Sequence, residues 1–313
     1  MEKRELGRSG IAIAPLVFGG NVFGWTADRQ RSFDLLDRFT GQGFNAIDTA
    51  DVYSNWAPGL SGGESETVIG EWLAQRGRRD DVVLMTKVGM WDKRPGLSAA
   101  NIEAALDGSL RRLRTDHVDV YFAHIDDESV PFEETLGAFS RLIEAGKVRA
   151  IGASNHSADR LQAALDAAKA AGLPRYEIVQ PAYNLYDRKD FEQSLLPVIQ
   201  SEGLGAVSYF SLASGFLTGK YRTKADLEGS SRAGFLEGYF DDRGARILTA
   251  LREVAEELGV PQAQVALAWL MSRPGLTAPI ASATSAAQLD EITGAAGLDL
   301  PAAALDRLDE ASR

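Results

Sequence analysis

The chain has 313 residues, with 33 Lys and Arg against 44 Asp and Glu, a net charge of −11 and no cysteine. Apolar residues at 45% and charged residues at 25% are ordinary for a globular chain and exclude wholesale disorder; the lack of thiols excludes disulfides, thiol nucleophiles and cysteinyl metal sites. The acidic balance argues against nucleic acid or an anionic membrane as partner, since both are held through Lys and Arg.

Residues 1–10, MEKRELGRSG, lack the apolar core of a signal peptide, and no apolar run reaches the ~18 residues of a membrane span, so cytoplasmic residence is expected. Residues 1–13 read as a short hairpin with Gly10 at its turn, set to plug the floor of whatever follows. Strands are then expected at 15–20, 45–51, 82–88, 118–125, 148–154, 177–183, 205–212 and 277–283. Most are continuous apolar runs, the mark of strands covered on both faces. Amphipathic helices lie between them, at 33–39, 67–73, 136–143 and 161–168, and through Leu106, Leu110 and Leu113 at i, i+4 and i+7. Ser98 is placed to begin the third helix, and Glu64 and Glu66 load the first turn of the second. Residues 218–243 are long, Gly-rich and irregular, a candidate lid.

Eight βα units in series point to one domain of the TIM (β/α)₈ barrel class. A doubly wound open sheet would want a phosphate-binding glycine motif after the first strand, and GGNVFG at 19–24 is not GxGxxG. Barrel chemistry sits at the C-terminal ends of the strands. Reading those ends gives Asp48, Tyr53 just beyond it, Lys87 and His124. Adjacent parallel strands lie about 4.8 Å apart, so these side chains can converge. A phenol, with an ordinary pKa near 10, is a poor proton exchanger at neutral pH. A neighbouring Lys87 ammonium would lower that value, Asp48 would hold Lys87 charged, and His124 would orient a carbonyl or complete the proton path. Alone, Asp48 would read as a cap, Tyr53 as a half-buried aromatic and His124 as structural; together they read as a proton-transfer site.

The motifs GFNAIDTADVYS (43–54), GESETVIGEWL (63–73), VVLMTKVG (82–89), VDVYFAHIDD (118–127), RAIGASNHS (149–157), EIVQPAYNLYDR (177–188), SLASGFLTGKY (211–221) and PIASATSAAQL (279–289) resemble, in order and over essentially the whole chain, the aldo-keto reductases. The resemblance implies a barrel oxidoreductase that passes hydride between NAD(P)H and a carbonyl or alcohol, with Tyr53 as general acid/base and Asp48, Lys87 and His124 completing its tetrad. It implies a nicotinamide carboxamide held by Ser154, Asn155 and Gln180, a ring stacked on Tyr209, and Gly20 and Asn21 closing the first-strand end. Phe210, Ser211, Leu212, Ser214, Gly215 and Lys220 would meet the pyrophosphate, and Ser282, Thr284 and Gln288 the adenosine end. Phe210-Ser211 stands where the family usually has Ser-Pro, Thr284 where many members carry Arg, and Ile292 where many carry Asn. NADP(H) is the expected cofactor, with NAD(H) the alternative. The resemblance also admits a second role, a subunit that senses cofactor redox state for a partner, as channel-attached members of the family are thought to do.

The remaining polar residues carry less. Three histidines spaced 7 and 32 apart form no local chelate, so no metal site is expected. GFLTGK at 215–220 is one residue short of a P-loop. His117 reads as a loop residue before the fourth strand, and His156 as a cofactor-loop neighbour or plain surface. The acidic runs at 126–128, 241–242 and 253–257 read as solvated faces and helix starts. Trp25, Trp56 and Trp91 follow strands one, two and three and are either packing anchors or a substrate wall. A hydrolase using paired carboxylates would need a second acid near Asp48, and none is evident.

Overall fold

The computed structural model describes residues 1–228 and 233–313. Eight strands close into a parallel barrel: β3 (Val17–Gly19), β4 (Ala46–Asp48), β5 (Val83–Val88), β6 (Val118–Ala123), β7 (Val148–Ser154), β8 (Ile178–Gln180), β9 (Gly205–Ser208) and β10 (Ala278–Ala281), with β10 pairing back to β3. Apart from Arg149, every residue of these strands is buried, which is why the runs carry no polar alternation. Before them, β1 (Arg4–Glu5) and β2 (Ala12–Ile13) form an antiparallel hairpin.

The apolar residues split into two cores. The inner one joins Val17, Ala46, Met85, Val120, Phe122, Ile178 and Val207 of the strands to Leu6, Ile11 and Ile13 of the hairpin. The hairpin therefore plugs the barrel, as its sequence suggested, and Gly10 sits at φ +69° in its turn. Gly7 lies so close to Glu177 O and Gly205 N that a Cβ would overlap both, which places the plug at the strands' N-terminal ends. The larger core lies between the strands and the surrounding helices.

These helices are α1 (Arg29–Gly41), α2 (Glu64–Arg76), α3 (Ala99–Leu113), α4 (Phe132–Glu144), α5 (Ala158–Ala171), α6 (Leu196–Glu202), α7 (Ala233–Leu236), α8 (Asp242–Leu258), α9 (Gln262–Met271), α10 (Ala286–Gly294) and α11 (Ala302–Ala311). Asp28, Ser98, Ser157, Asp241 and Ser285 cap α1, α3, α5, α8 and α10 through side-chain oxygens. No helix among the described residues is long and apolar enough to cross a membrane.

Three expectations are corrected. Strands read as 45–51, 177–183 and 205–212 end at Asp48, Gln180 and Ser208, because the chain leaves the ladder there to turn across the barrel mouth. Between β9 and β10 lie two long helices, α8 and α9, where a series of single βα units would place one. The stretch 218–243 is not without structure: it holds helical turns at Lys224–Leu227, Ala233–Leu236 and Glu237–Tyr239, while its residues 229–232 lie outside the described residues.

Candidate active site

Asp48 ends β4, opposite Gly19 on one side and Met85 on the other, while Lys87 lies near the end of β5 opposite Phe122. His124 follows β6 directly. This register brings the four expected residues together at the C-terminal rim. Lys87 Nζ donates to Asp48 Oδ2 at 2.7 Å, Thr49 O at 2.7 Å and Tyr53 Oη at 2.8 Å, which uses all three of its protons. Tyr53 Oη donates to Asp48 Oδ2 at 3.0 Å, and Gln180 Nε2 donates to the other oxygen of Asp48 at 2.9 Å. The His124 ring lies edge-on to Tyr53, 6.2 Å between centroids.

Burial governs the proton affinities. It pulls Lys87 below the ordinary lysine value, against the upward pull of Asp48. It pushes the Tyr53 phenol well above 10, and the Asp48 carboxylate, which accepts the phenolic hydrogen, pushes the same way. The expected lowering of Tyr53 by Lys87 is therefore not what the site does at rest: the ammonium is spent largely on Asp48. The phenol is held loaded with its proton. His124 is driven well below 6.5 by burial and by Lys87, and is a neutral imidazole whose buried Nδ1 has no hydrogen-bond partner among the described residues.

Contrary to expectation, there are further acids close behind this group. Asp51 lies in the turn between Asp48 and Tyr53, fully buried, with no side-chain donor to either carboxylate oxygen among the described residues. Burial first, and then the charge of Glu66, raise it to about 7. Glu66, read only as a helix-start charge, is also fully buried and accepts from Thr86 Oγ1 at 2.6 Å and Arg112 Nε at 2.7 Å. The one signal in the sequence was an acid between Ala50 and Val52, two apolar neighbours.

The residues expected around a cofactor line the same rim. Ser154 Oγ donates to Gln180 O at 2.9 Å; Asn155, at φ +59°, donates to His124 O at 2.8 Å and accepts from Tyr209 Oη at 2.7 Å. Gln180 thus donates one of its two amide hydrogens to Asp48 as the site stands. Asn21 accepts from Ser282 Oγ at 2.6 Å, and a Cβ on Gly20 would strike Asp48 O and Ser65 Oγ at 2.9 Å. After β9 the chain bends repeatedly through left-handed conformations, at Phe210 (φ +52°), Ala213 (+47°), Ser214 (+57°) and Gly215 (+101°). Ser211 is buried and donates to Ser208 O at 3.0 Å, Leu212 is half-buried, and Lys220 runs past Gly215. Gln288 Oε1 accepts from both Thr284 N and Thr284 Oγ1, at 2.8 and 3.0 Å. Ile292 is buried in the outer core.

Two of the three tryptophans gather here. Trp56 lies 5.9 Å from the Tyr53 ring and 5.7 Å from Trp25. Trp91 does not join them: its Nε1 donates to Ser61 O at 3.0 Å and its ring lies under Arg112 and Lys93. His117 sits in the loop before β6, 2.7 Å from Asp116. His156 is not surface; it is buried, with Nδ1 against Ser154 O at 2.9 Å. Asp126, expected in a solvated run, instead clamps Arg160 through both oxygens, at 2.7 and 2.8 Å.

Comparison with known proteins adds a family. The model of the Aldo/keto reductase family matches residues 15–313. A protein of Oryza sativa subsp. japonica named "Probable voltage-gated potassium channel subunit beta" is 36% identical over 303 residues, 93% of this chain and 90% of its own. The "Uncharacterized oxidoreductase YrpG" of Bacillus subtilis is 35% identical over 322 residues, 99% of this chain and 95% of its own. The "L-glyceraldehyde 3-phosphate reductase" of Escherichia coli (strain K12) is 30% identical over 304 residues, 93% of this chain and 86% of its own.

Proposed function

Since this chain belongs to the aldo/keto reductase family and is an NAD(P)H-dependent oxidoreductase, we propose that it reduces a small-molecule carbonyl with Tyr53 as the proton donor. The observation that carries the reading is the contact of Lys87 Nζ with both Tyr53 Oη, at 2.8 Å, and Asp48 Oδ2, at 2.7 Å. Tyr53 keeps its proton until a carbonyl oxygen gaining negative charge arrives to take it. Lys87 then stabilises the phenolate left behind, and Asp48 keeps that ammonium aimed and charged. Neutral His124 offers a ring nitrogen to orient the oxygen, and Trp25 and Trp56 wall the approach.

The residues present fit a nicotinamide dinucleotide. The left-handed residues Phe210, Ala213 and Ser214 are the kind of strained main chain found at ligand clamps, and the glycine at position 20 leaves no room for a side chain against Asp48. Ser154, Asn155, Gln180 and Tyr209 would hold the nicotinamide, with Gly20 and Asn21 beside it. Phe210, Ser211, Leu212, Ser214, Gly215 and Lys220 would take the pyrophosphate, and Ser282, Thr284 and Gln288 the adenosine. When bound in reduced form the cofactor supplies the hydride that a side chain cannot. NADPH is the proposed form and NADH the alternative, because positions 282, 284 and 288 carry no carboxylate to repel a 2′-phosphate. The proposed setting is cytoplasmic, with a small molecule as the partner.

The test is consumption of cofactor absorbance with a panel of activated aldehydes and quinones. Tyr53→Phe should lose about 10²–10⁴-fold in turnover while cofactor still quenches protein fluorescence; undiminished turnover overturns the role. A second reading has one observation in its favour, the similarity to proteins named as channel β subunits in Oryza sativa and, at 35% identity, Arabidopsis thaliana. A single turnover followed by very slow release of oxidised cofactor would favour that sensing role over steady reduction.

A further inference from the structure

We propose that Asp51 is a positioning acid, a buried carboxyl behind Lys87 whose gain or loss of a proton sets how firmly that lysine keeps its charge beside Tyr53. Asp51 is held against the strand that carries Lys87, its amide reaching Lys87 O at 3.5 Å. Both of its oxygens are buried and take no side-chain hydrogen bond among the described residues, the Val52 main chain being the one donor that eases the carboxylate. A buried carboxylate normally recruits donors, and here the side-chain donors nearby are committed elsewhere: Arg112 Nε and Thr86 to Glu66, Arg112 Nη2 to Ser109, Ser65 to Gly20 O, and Lys87 to three other acceptors.

The charged and titratable groups that Asp51 feels come from every element around it: Lys87 on β5, Glu66 on α2, Arg112 on α3 and Tyr121 on β6. Tyr121 is a buried phenol held well above 10 and stays neutral. That leaves Lys87 and Arg112 against Asp48 and Glu66, a balanced set when Asp51 carries its proton and one of net negative charge when it does not. Burial and Glu66 hold the proton on Asp51 into the neutral range, about 7. Ionised Asp51 favours the Lys87 ammonium, which burial otherwise weakens. Neutral Asp51 withdraws that support and lets the ammonium be lost at lower pH.

The catalytic consequence rests on the function proposed above, but the first measurement does not. In protein labelled with ¹³C at lysine Cε, the resonance absent from Lys87→Met reports Lys87. Its titration should move to lower pH by about one unit in Asp51→Asn, the size of a single buried charge effect. Infrared difference spectra of the parent between pH 5.5 and 8.5 should show one protonated-carboxyl band lost, a band missing from Asp51→Asn. The alkaline limb of the pH profile for carbonyl reduction should move down with Lys87, whereas a merely structural role would lower turnover without moving the limb. Asp51→Leu, apolar and of similar size, should give the same Lys87 shift and serves if Asn is not tolerated. An unmoved Lys87 titration, or Asp51 ionised across the whole range, overturns the proposal. A chain that reduces no carbonyl yet shows the Lys87 shift fails the proposed function and leaves the coupling standing.

Discussion

Around the barrel mouth, the wall of β4, β5 and β6 places charged side chains that are almost wholly buried, whereas the wall after β9 and β10 offers bent main chain with short or exposed side chains. Lys87 and Asp48 have side chains 0% and 2% exposed, while Phe210, at the start of the opposite wall, is 47% exposed. The first wall is rigid because Lys87 and Asp48 are each pinned by several hydrogen bonds in a low-dielectric setting, where an unpaired group is costly. The second holds its shape through φ values that L side chains rarely adopt, at Phe210, Ala213 and Ser214. The difference teaches where sequence change is tolerated. On the proposed function, chemistry would depend on identities in the first wall, and grip on an extended ligand on backbone shape in the second.

The largest effects should come from unbalancing the first wall. Lys87→Met leaves Asp48 buried without its cation, so both turnover and stability should fall. We expect at least a 10²-fold loss of turnover and about 3–5 kcal/mol of stability, the usual cost of removing one partner of a buried pair. Urea unfolding and cofactor consumption measure the two losses. A variant as stable as its parent would mean that Asp48 had found another donor, and the wall would not be rigid in the sense argued here.

Asp51 sharpens the comparison through pH. Its folded pKa of about 7 lies above the ordinary 3.8. Between those values the folded chain holds a proton that the unfolded chain has released, so stability contributed by this group is full below 3.8 and declines as pH rises to about 7. Asp51→Asn, which cannot ionise, should therefore gain on its parent as pH rises from 5 to 8, by more than about 1.4 kcal/mol, one pKa unit. Urea midpoints at the two pH values read this directly. Parallel pH dependences would place the carboxyl in contact with water or a donor.

Much of the first wall was legible in the sequence. Asp48, Lys87 and His124 stand at three consecutive strand ends with Tyr53 in the turn after the first, and parallel packing leaves their side chains little choice but to meet. The plug was legible too, because Leu6, Ile11 and Ile13 are apolar beside a turn glycine. What could not be read was depth. Asp51 follows a strand end and looks like any loop carboxylate; only the turn from Thr49 to Tyr53, folded beneath α2 and against β5, removes it from water. Depth also decides the phenol's proton, since the contest between burial and Lys87 has no winner on paper. The left-handed bends after β9 were invisible for a related reason, as three of the four residues are not glycine.

For the second wall the effect should be moderate and confined to binding. Gly215, at φ +101°, has Lys220 Cε 3.3 Å from where a Cβ would stand. Gly215→Ala forces a disfavoured conformation worth about 1–3 kcal/mol, so the cofactor KM should rise about tenfold, the equivalent of 1.4 kcal/mol, with kcat nearly unchanged. A fall in kcat with constant KM would place this loop in the chemistry and dissolve the division between walls.

The smallest effects should separate the tryptophans. Trp56 is 48% exposed, touches Tyr53 edge-on and also packs against Trp25, so an aromatic carbonyl entering the site would meet its face. Aromatic contacts of this kind are worth about 0.5–1.5 kcal/mol. Trp56→Ala should therefore raise KM a fewfold for aromatic aldehydes and hardly at all for short aliphatic ones. Trp91→Phe should leave both KM values alone, because its indole is spent on Ser61 and Arg112 rather than on the mouth. Equal effects of the two substitutions on aromatic KM would mean that the loop after β5 closes over the substrate, and Trp91 would then belong to the first wall after all.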